Sequence, residues 1–336
     1  MNSRKLISFG KNSFIITLPK DWVQKNKLNK GDIISIEESK TGLILSPQNT
    51  TLKGEPKEIS INAQEKSLER LRTEIVSAYL DNYSIIQVRS DTTLTNSSEI
   101  RGMLRNLAGL EIINQSSNKI IAKDLIDVNE IPIMKLIRRM DNLTRAMMED
   151  TLTCFSGEGE AEDIIQRDND VNRTHFLAYR VIRSALKDVR IANTLGKSPL
   201  ELHSDHTVTT KIERIADSIK LICGAISSTQ IDNKGTKDLK TIFDRIKQEY
   251  YDVMKAYYTN DSEIALRIEE KNKDILQECD DFFEKHTHNK KLRYSKTSNG
   301  VCNFRDSCGA TARIIENMKE IAYSIKFIAR TIIGGG

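Results

Sequence analysis

One short segment of this chain is written twice. Residues 214–222 read RIADSIKLI and residues 320–328 read EIAYSIKFI, with six of nine positions identical at a separation of 106. Shared helical periodicity would supply isoleucines at matching spacing, but it would not place Ala, Ser and Lys in the same register too. The chain must therefore build one helical unit twice. From Pro132 to Ile333 apolar residues recur at three-to-four spacing, which predicts six amphipathic helices at roughly 132–155, 160–195, 207–229, 236–258, 261–287 and 307–333. Turn-forming clusters such as Ser156-Gly157-Glu158-Gly159, Gly196-Lys197-Ser198-Pro199 and Asp232-Asn233-Lys234-Gly235 separate them. Three helices per copy make two all-α antiparallel bundles in tandem, at 129–230 and 231–336.

The pattern before Pro132 is different. Residues 1–54 read as short strands at 5–9, 14–18, 33–37 and 43–46, with a short helix at 20–27 after Pro19 and turns at Gly10-Lys11-Asn12, Lys30-Gly31-Asp32 and Thr41-Gly42. So short a set of strands buries too little to stand alone and needs a partner. A linker follows at 49–58. A small α/β module then completes 55–128, with helices at 63–79 and 97–107 and strands at 84–89, 110–114 and 119–123. No chemistry is visible in it.

Charge separates these regions more sharply than composition does. Residues 1–54 hold nine Lys/Arg against four Asp/Glu, a balance of +5, whereas the whole chain is +4, so the other 282 residues come to −1. A basic excess confined to one domain is an electrostatic footprint for a polyanion. No apolar run approaches the roughly 18 residues of a membrane span, and the N-terminus lacks the features of a signal peptide. A cytoplasmic protein without membrane insertion is expected. The five cysteines, Cys154, Cys223, Cys279, Cys302 and Cys308, lack the spacing of a zinc site and are expected to be reduced thiols, three of them filling helix cores. His203 with His206, and His286 with His288, are expected to be exposed at helix ends or in loops.

The phrases RKLISFGKNSFIITLPKDW and LNKGDIISIEE resemble the AbrB/SpoVT family of swapped-hairpin DNA-binding domains. That resemblance implies a barrel interleaved from two chains, hence a homodimer, and nominates Arg4, Lys5, Lys11 and Lys20 as DNA contacts. Phosphate contacts supply most DNA affinity, and a dimer repeats each about its two-fold axis. The phrases IIQRDNDVNRTHFL and KIERIADSIKLI resemble the PhoU phosphate-uptake regulators, in the archaeal form in which such a hairpin domain precedes the helical repeats. In PhoU-like repeats acidic pairs on two helices bind a multinuclear metal cluster. The resemblance therefore nominates Asp168, Glu213 and Asp217, with Asn172 and His175 nearby, as ligands of iron or another divalent metal in the first repeat.

Glu213 and Asp217 stand four apart on one helix face, while Asp168, Asn172 and His175 form a stripe on another helix. Asn172 stands where the family would have Asp, and a neutral amide is a poorer ligand for a hard cation. With an offset of 106 in the third helix and about 103 in the second, the second repeat would carry Tyr323, Lys319, Lys271 and Ile275 at the positions of Asp217, Glu213, Asp168 and Asn172. No metal is expected there. P-loop, nucleophile-elbow and dinucleotide motifs are missing, so no catalytic residues are nominated and no enzyme is expected. The expected function is DNA-binding regulation of the phosphate response. The alternative is a signalling adaptor that docks on a phosphate transporter or sensor kinase and uses the first domain only to dimerise.

Overall fold

The computed structural model describes residues 3–39, 42–47, 57–157, 161–226, 233–287 and 304–334. The chain divides into two compact units, Met1–Pro56 and Lys57–Gly336.

The first unit consists of two antiparallel hairpins, β1 (Ile7–Phe9) with β2 (Ser13–Ile15) and β3 (Ile34–Ser39) with β4 (Gly42–Pro47), and between them the helix α1 (Lys20–Lys25). Pro19 sets the entry to α1, its fixed φ suiting a helix start. Gly31 supplies the φ of +99° that the turn into β3 needs, and Asp32 closes that turn by accepting the Asn29 N–H at 2.7 Å. Among residues 3–36, 42, 43 and 45–47 none is buried. Leu6, Phe9, Phe14, Ile36 and Leu43 all lie open.

The second unit begins with a mixed four-stranded sheet of β5 (Glu58–Asn62), β6 (Ile85–Arg89), β7 (Leu110–Gln115) and β8 (Lys119–Asp124), in the order β5-β6-β8-β7. Sequence periodicity misses β5, which pairs parallel to β6 through the crossover helix α2 (Leu68–Leu80). That helix starts later than the expected 63 because Ser67 caps it, accepting the Arg70 N–H at 3.3 Å, and Glu65 just before it has a left-handed φ of +59°. The helix α3 (Ser97–Arg105) joins α2 in covering the sheet, so Ile61, Ile75, Ile86, Val88, Leu104 and Ile120 form its core. Gly109 is needed ahead of β7. Its φ is +85°, and a Cβ there would lie 2.5 Å from the Ile126 side chain.

A 3-10 turn at Val128–Glu130 leads to the helices α4 (Ile133–Cys154), α5 (Ala161–Lys187), α6 (Val189–Thr194), α7 (Pro199–Ile226), α8 (Asn233–Thr259), α9 (Ser262–Thr287) and α10 (Phe304–Gly334). Two of these depart from expectation. The helix predicted at 160–195 breaks at Asp188, whose carboxylate accepts the Arg190 N–H at 3.0 Å and starts α6. The next helix begins at Pro199, eight residues before the expected 207.

Burial confirms the duplication helix by helix. Ile133, Ile137, Met140, Thr144 and Met147 of α4 match Leu239, Phe243, Ile246, Tyr250 and Val253 of α8 at a separation of 106. Val208, Ile212, Ile215, Ala216, Ser218 and Ile219 of α7 match Ile314, Met318, Ile321, Ala322, Ser324 and Ile325 of α10 at the same 106. In α5 and α9 the separation is 104, which pairs Ile164, Asp168, Val171 and Ala178 with Ile268, Asn272, Ile275 and Phe282. The offset of about 103 is therefore corrected: Asp168 corresponds to buried Asn272 rather than Lys271, and Asn172 to Leu276 rather than Ile275. Both bundles share one continuous core from Val128 to Ile332.

The α/β module is fastened to α5 through buried polar groups. Arg180, 2% exposed, pairs with Asp124, donates from Nε to Asn82 Oδ1 at 2.6 Å, and lies 4.5 Å from the centre of the Tyr79 ring. Asn82 takes a left-handed φ of +59° that Asn tolerates, and its Nδ2 donates to Ser184 Oγ at 2.6 Å. Around this centre Asp81 receives Arg183 and Lys187, each at 2.8 Å.

Candidate functional site

Two groups of residues could carry function. The first is basic and lies in the N-terminal unit. Arg4 and Lys5 precede β1, Lys11 sits in the β1–β2 turn and Lys20 opens α1. All four are exposed, free of the burial that would mark structural cations.

The second is a polar seam between α5 and α7. These helices bring Asp168 of α5 together with Glu213 and Asp217 of α7, as the helical spacings require. At their centre lies Lys220. Its ammonium donates to Asp168 Oδ2 at 2.6 Å and to Asp217 Oδ1 at 2.7 Å. Asn172 Nδ2 donates to the same Asp168 oxygen at 3.3 Å. Asp168 Oδ1 is buried with no partner among the described residues.

The charges respond to this arrangement. Burial, with the charges of Asp217 and Asp168 behind it, pushes the Glu213 carboxyl up to about 7. Burial also raises Asp168 above the ordinary carboxylate range, although Lys220 pulls the other way. Burial opposes the charge on Lys220, but its bonds to Asp168 and Asp217 outweigh that and hold its pKa above the usual lysine value.

Further along the seam the His206 ring stacks on Tyr179 with centroids 4.7 Å apart. The His175 ring lies 6.5 Å from that of Tyr179, and burial, then His206, drives its pKa down to about 4. The His175 Nε2 atom is buried with no hydrogen-bond partner among the described residues, and among those residues no group of three His, Cys, Asp or Glu is disposed to hold a metal. His203 is exposed as expected, whereas His206 is half-buried under Tyr179, because α7 already extends through it. His286 stacks on Phe282 at 4.3 Å, and His288 lies outside the described residues.

The residues present do not fit the metal cluster that the resemblance implies. A hard cation needs several anionic oxygens. Here one carboxylate oxygen is taken by an ammonium and an amide, a second by the same ammonium, and the third carboxyl is drawn toward its neutral form. In the second repeat the equivalent positions carry Asn272, Lys319 and Tyr323, and Asn272 Nδ2 donates to the main-chain oxygen of Ala322 at 2.8 Å.

Residues 7–53 match a family model described as antidote-toxin recognition MazE, bacterial antitoxin, and residues 137–226 match the PhoU domain. The chain thus joins a MazE/AbrB-type domain to a PhoU domain. Neither the curated proteins nor the solved structures give a match. The PhoU match runs from within α4 to the end of α7, which is the first repeat. The second PhoU-like repeat keeps the helix packing of the first but replaces its acidic seam. Among the described residues no helix is long and apolar enough to cross a membrane.

The sequence places Lys220 and Arg214 beside Glu213 and Asp217, where they offset that pair, but it does not show that Lys220 also bonds Asp168. Asp168 and Lys220 are 52 residues apart, and no local spacing links them.

Proposed function

We propose that the chain is a cytoplasmic, homodimeric, DNA-binding transcriptional regulator of phosphate uptake and phosphate response. Its PhoU-like helical part senses phosphate status or holds the partner that reports it, and it acts by binding rather than catalysis. The observation that carries this reading is the first unit, in which none of residues 3–36, 42, 43 and 45–47 is buried while Arg4, Lys5, Lys11 and Lys20 are exposed. A unit of this size acquires an interior when the strands of a second copy cover its apolar side chains. Two copies then present each basic residue twice about a two-fold axis, which suits two half-sites on a duplex.

The test is binding of genomic DNA fragments by the full-length protein, with and without phosphate, over a range of salt. Log K should fall by about 0.9 per neutralised phosphate for each tenfold rise in salt. Arg4→Ala with Lys5→Ala removes two cations per chain, so the dimer's slope should flatten by up to ~3.6. A salt slope that the double substitution leaves unchanged sinks the assignment of these residues.

The description of the matching N-terminal family favours a second reading, in which this segment dimerises and recognises a protein. The helical part would then be an adaptor on a phosphate transporter or signalling protein. Retention of a protein partner by a dimer with no salt-dependent DNA affinity would favour that reading.

A further inference from the structure

Asp168 poses an electrostatic problem that the surrounding residues solve in an unusual way. It is 2% exposed, and a carboxylate moved that far from water needs a counter-charge. Where the second repeat places the equivalent residue in its core, that residue is Asn272, which is neutral and donates from Nδ2 to the Ala322 main-chain oxygen. The first repeat keeps the acid and supplies a cation from the facing helix. Lys220 Nζ lies 2.6 Å from Asp168 Oδ2 and 2.7 Å from Asp217 Oδ1, so a single ammonium bridges carboxylates on α5 and α7. A divalent ion shared by two helices would occupy that bridging position. Meanwhile Asp168 Oδ1 is buried with no hydrogen-bond partner among the described residues, an acceptor with spare capacity.

We propose that Lys220 is a built-in cation of the first PhoU-like repeat, standing where a metal would otherwise bridge Asp168 and Asp217, and that its removal opens a latent divalent-ion site. The repeat then holds its seam together without metal. Phosphate-linked behaviour of the helical part, if present, does not run through metal loading at this seam. Lys220 is a positioning residue: it fixes α5 against α7 through the two carboxylates. The inference concerns the seam alone and stands whether or not the N-terminal unit binds DNA.

The experiment uses full-length protein, dialysed against chelator, with Mn²⁺ as the probe. Elemental analysis gives metal content and thermal unfolding gives the response. Wild type should carry no stoichiometric metal at this seam, and its unfolding temperature should ignore both chelator and Mn²⁺. Lys220→Met, which keeps the length of the side chain without the charge, should unfold at lower temperature. Mn²⁺ should restore it in a concentration-dependent way, with affinity at least about tenfold above wild type. Lys220→Arg should retain the cation and remain indifferent to Mn²⁺. Lys220→Met with Asp168→Asn removes both charges, so it should regain stability without metal and lose the Mn²⁺ response.

Three results would each overturn the proposal. One is wild-type protein holding stoichiometric metal that is lost on Asp168→Asn. Another is Lys220→Met as stable as wild type and indifferent to Mn²⁺. The third is a Lys220→Met and Asp168→Asn double variant as unstable as Lys220→Met alone, which would mean that charge balance is not what Lys220 supplies. Should Lys220→Met fail to fold, the double variant still decides the matter.

Discussion

Replacing Arg180 by Met should loosen the joint between the sheet module and the helices. The side chains of Arg180 and Asp124 are 2% and 7% exposed, so Arg180→Met strands a buried carboxylate rather than a surface one. Breaking a buried pair from one side costs about 3–5 kcal/mol, most of it the penalty of the charge left behind. The substitution also removes the donor to Asn82 Oδ1 and the guanidinium over the Tyr79 ring. These losses share one network and do not simply add. For a unit of this size, about 2–4 °C accompanies each kcal/mol, which gives a shift of about 6–20 °C in the affected transition. Far-UV circular dichroism is the suitable probe, because the single tryptophan, Trp22, lies in the other unit. Hydrogen exchange across β5–β8 would show whether the module detaches before the helices unfold. Asp124→Asn added to Arg180→Met removes the stranded charge and should return most of the loss. A cost below about 1 kcal/mol for Arg180→Met, or a double variant losing the sum of the two single losses, would refute the reasoning.

The seam and the thiols give two further predictions. Glu213 has a folded pKa of about 7 against an ordinary 4.5, so the folded state keeps a proton that the unfolded chain releases. Stability should therefore fall as pH rises from 4.5 to 7, and Glu213→Gln should abolish that fall, stabilising the protein at pH 8 by about 1–2 kcal/mol after allowance for partial exposure. Equal stability of variant and wild type across a pH series of thermal unfolding curves would count against it. Separately, Cys154 and Cys223 are buried with their Sγ atoms 2.8 Å apart, and burial followed by the Cys154 contact pushes the Cys223 thiol up to about 12. Native protein at pH 8 should resist alkylation at Cys223 and react only after denaturation. Mass spectrometry showing rapid native alkylation there would contradict the burial.

The long helices were legible because their apolar stripes are strong: Ile133, Ile137, Met140 and Met147 declare one face of α4 without help from the rest of the chain. What escaped was polar residues in core positions. Asp205 is buried in α7 and accepts Tyr257 and Lys197, so the helix start from Pro199 reads as a polar loop. Asn272 interrupts the stripe of α9 and made the register slip by one residue. The strand β5 offers only Ile59 and Ile61 as alternating apolar residues, and its partner β6 lies beyond a helix. At the candidate site the carboxylates and the neighbouring Lys220 are visible as a helical pattern, whereas the bond from Lys220 to Asp168 and the Arg180 joint depend on contacts between distant parts of the chain.

Arg214 and Glu320 occupy the same position in the two repeats, and they bond to each other across the α7–α10 contact at 2.9 Å. When identical subunits meet about a two-fold axis, a residue on that axis faces its own copy, so a charge there can only meet a like charge. Covalent linkage of the halves lifts that restriction, because each copy can mutate alone. One half carries the arginine and the other the glutamate, and the pair attracts. At another matched buried position one half carries Asp168 and the other Asn272. The bundle is thereby a heterodimer in a single polypeptide. The carboxylate seam therefore occurs once per chain, in the first repeat, so the two halves do not offer the same surface chemistry.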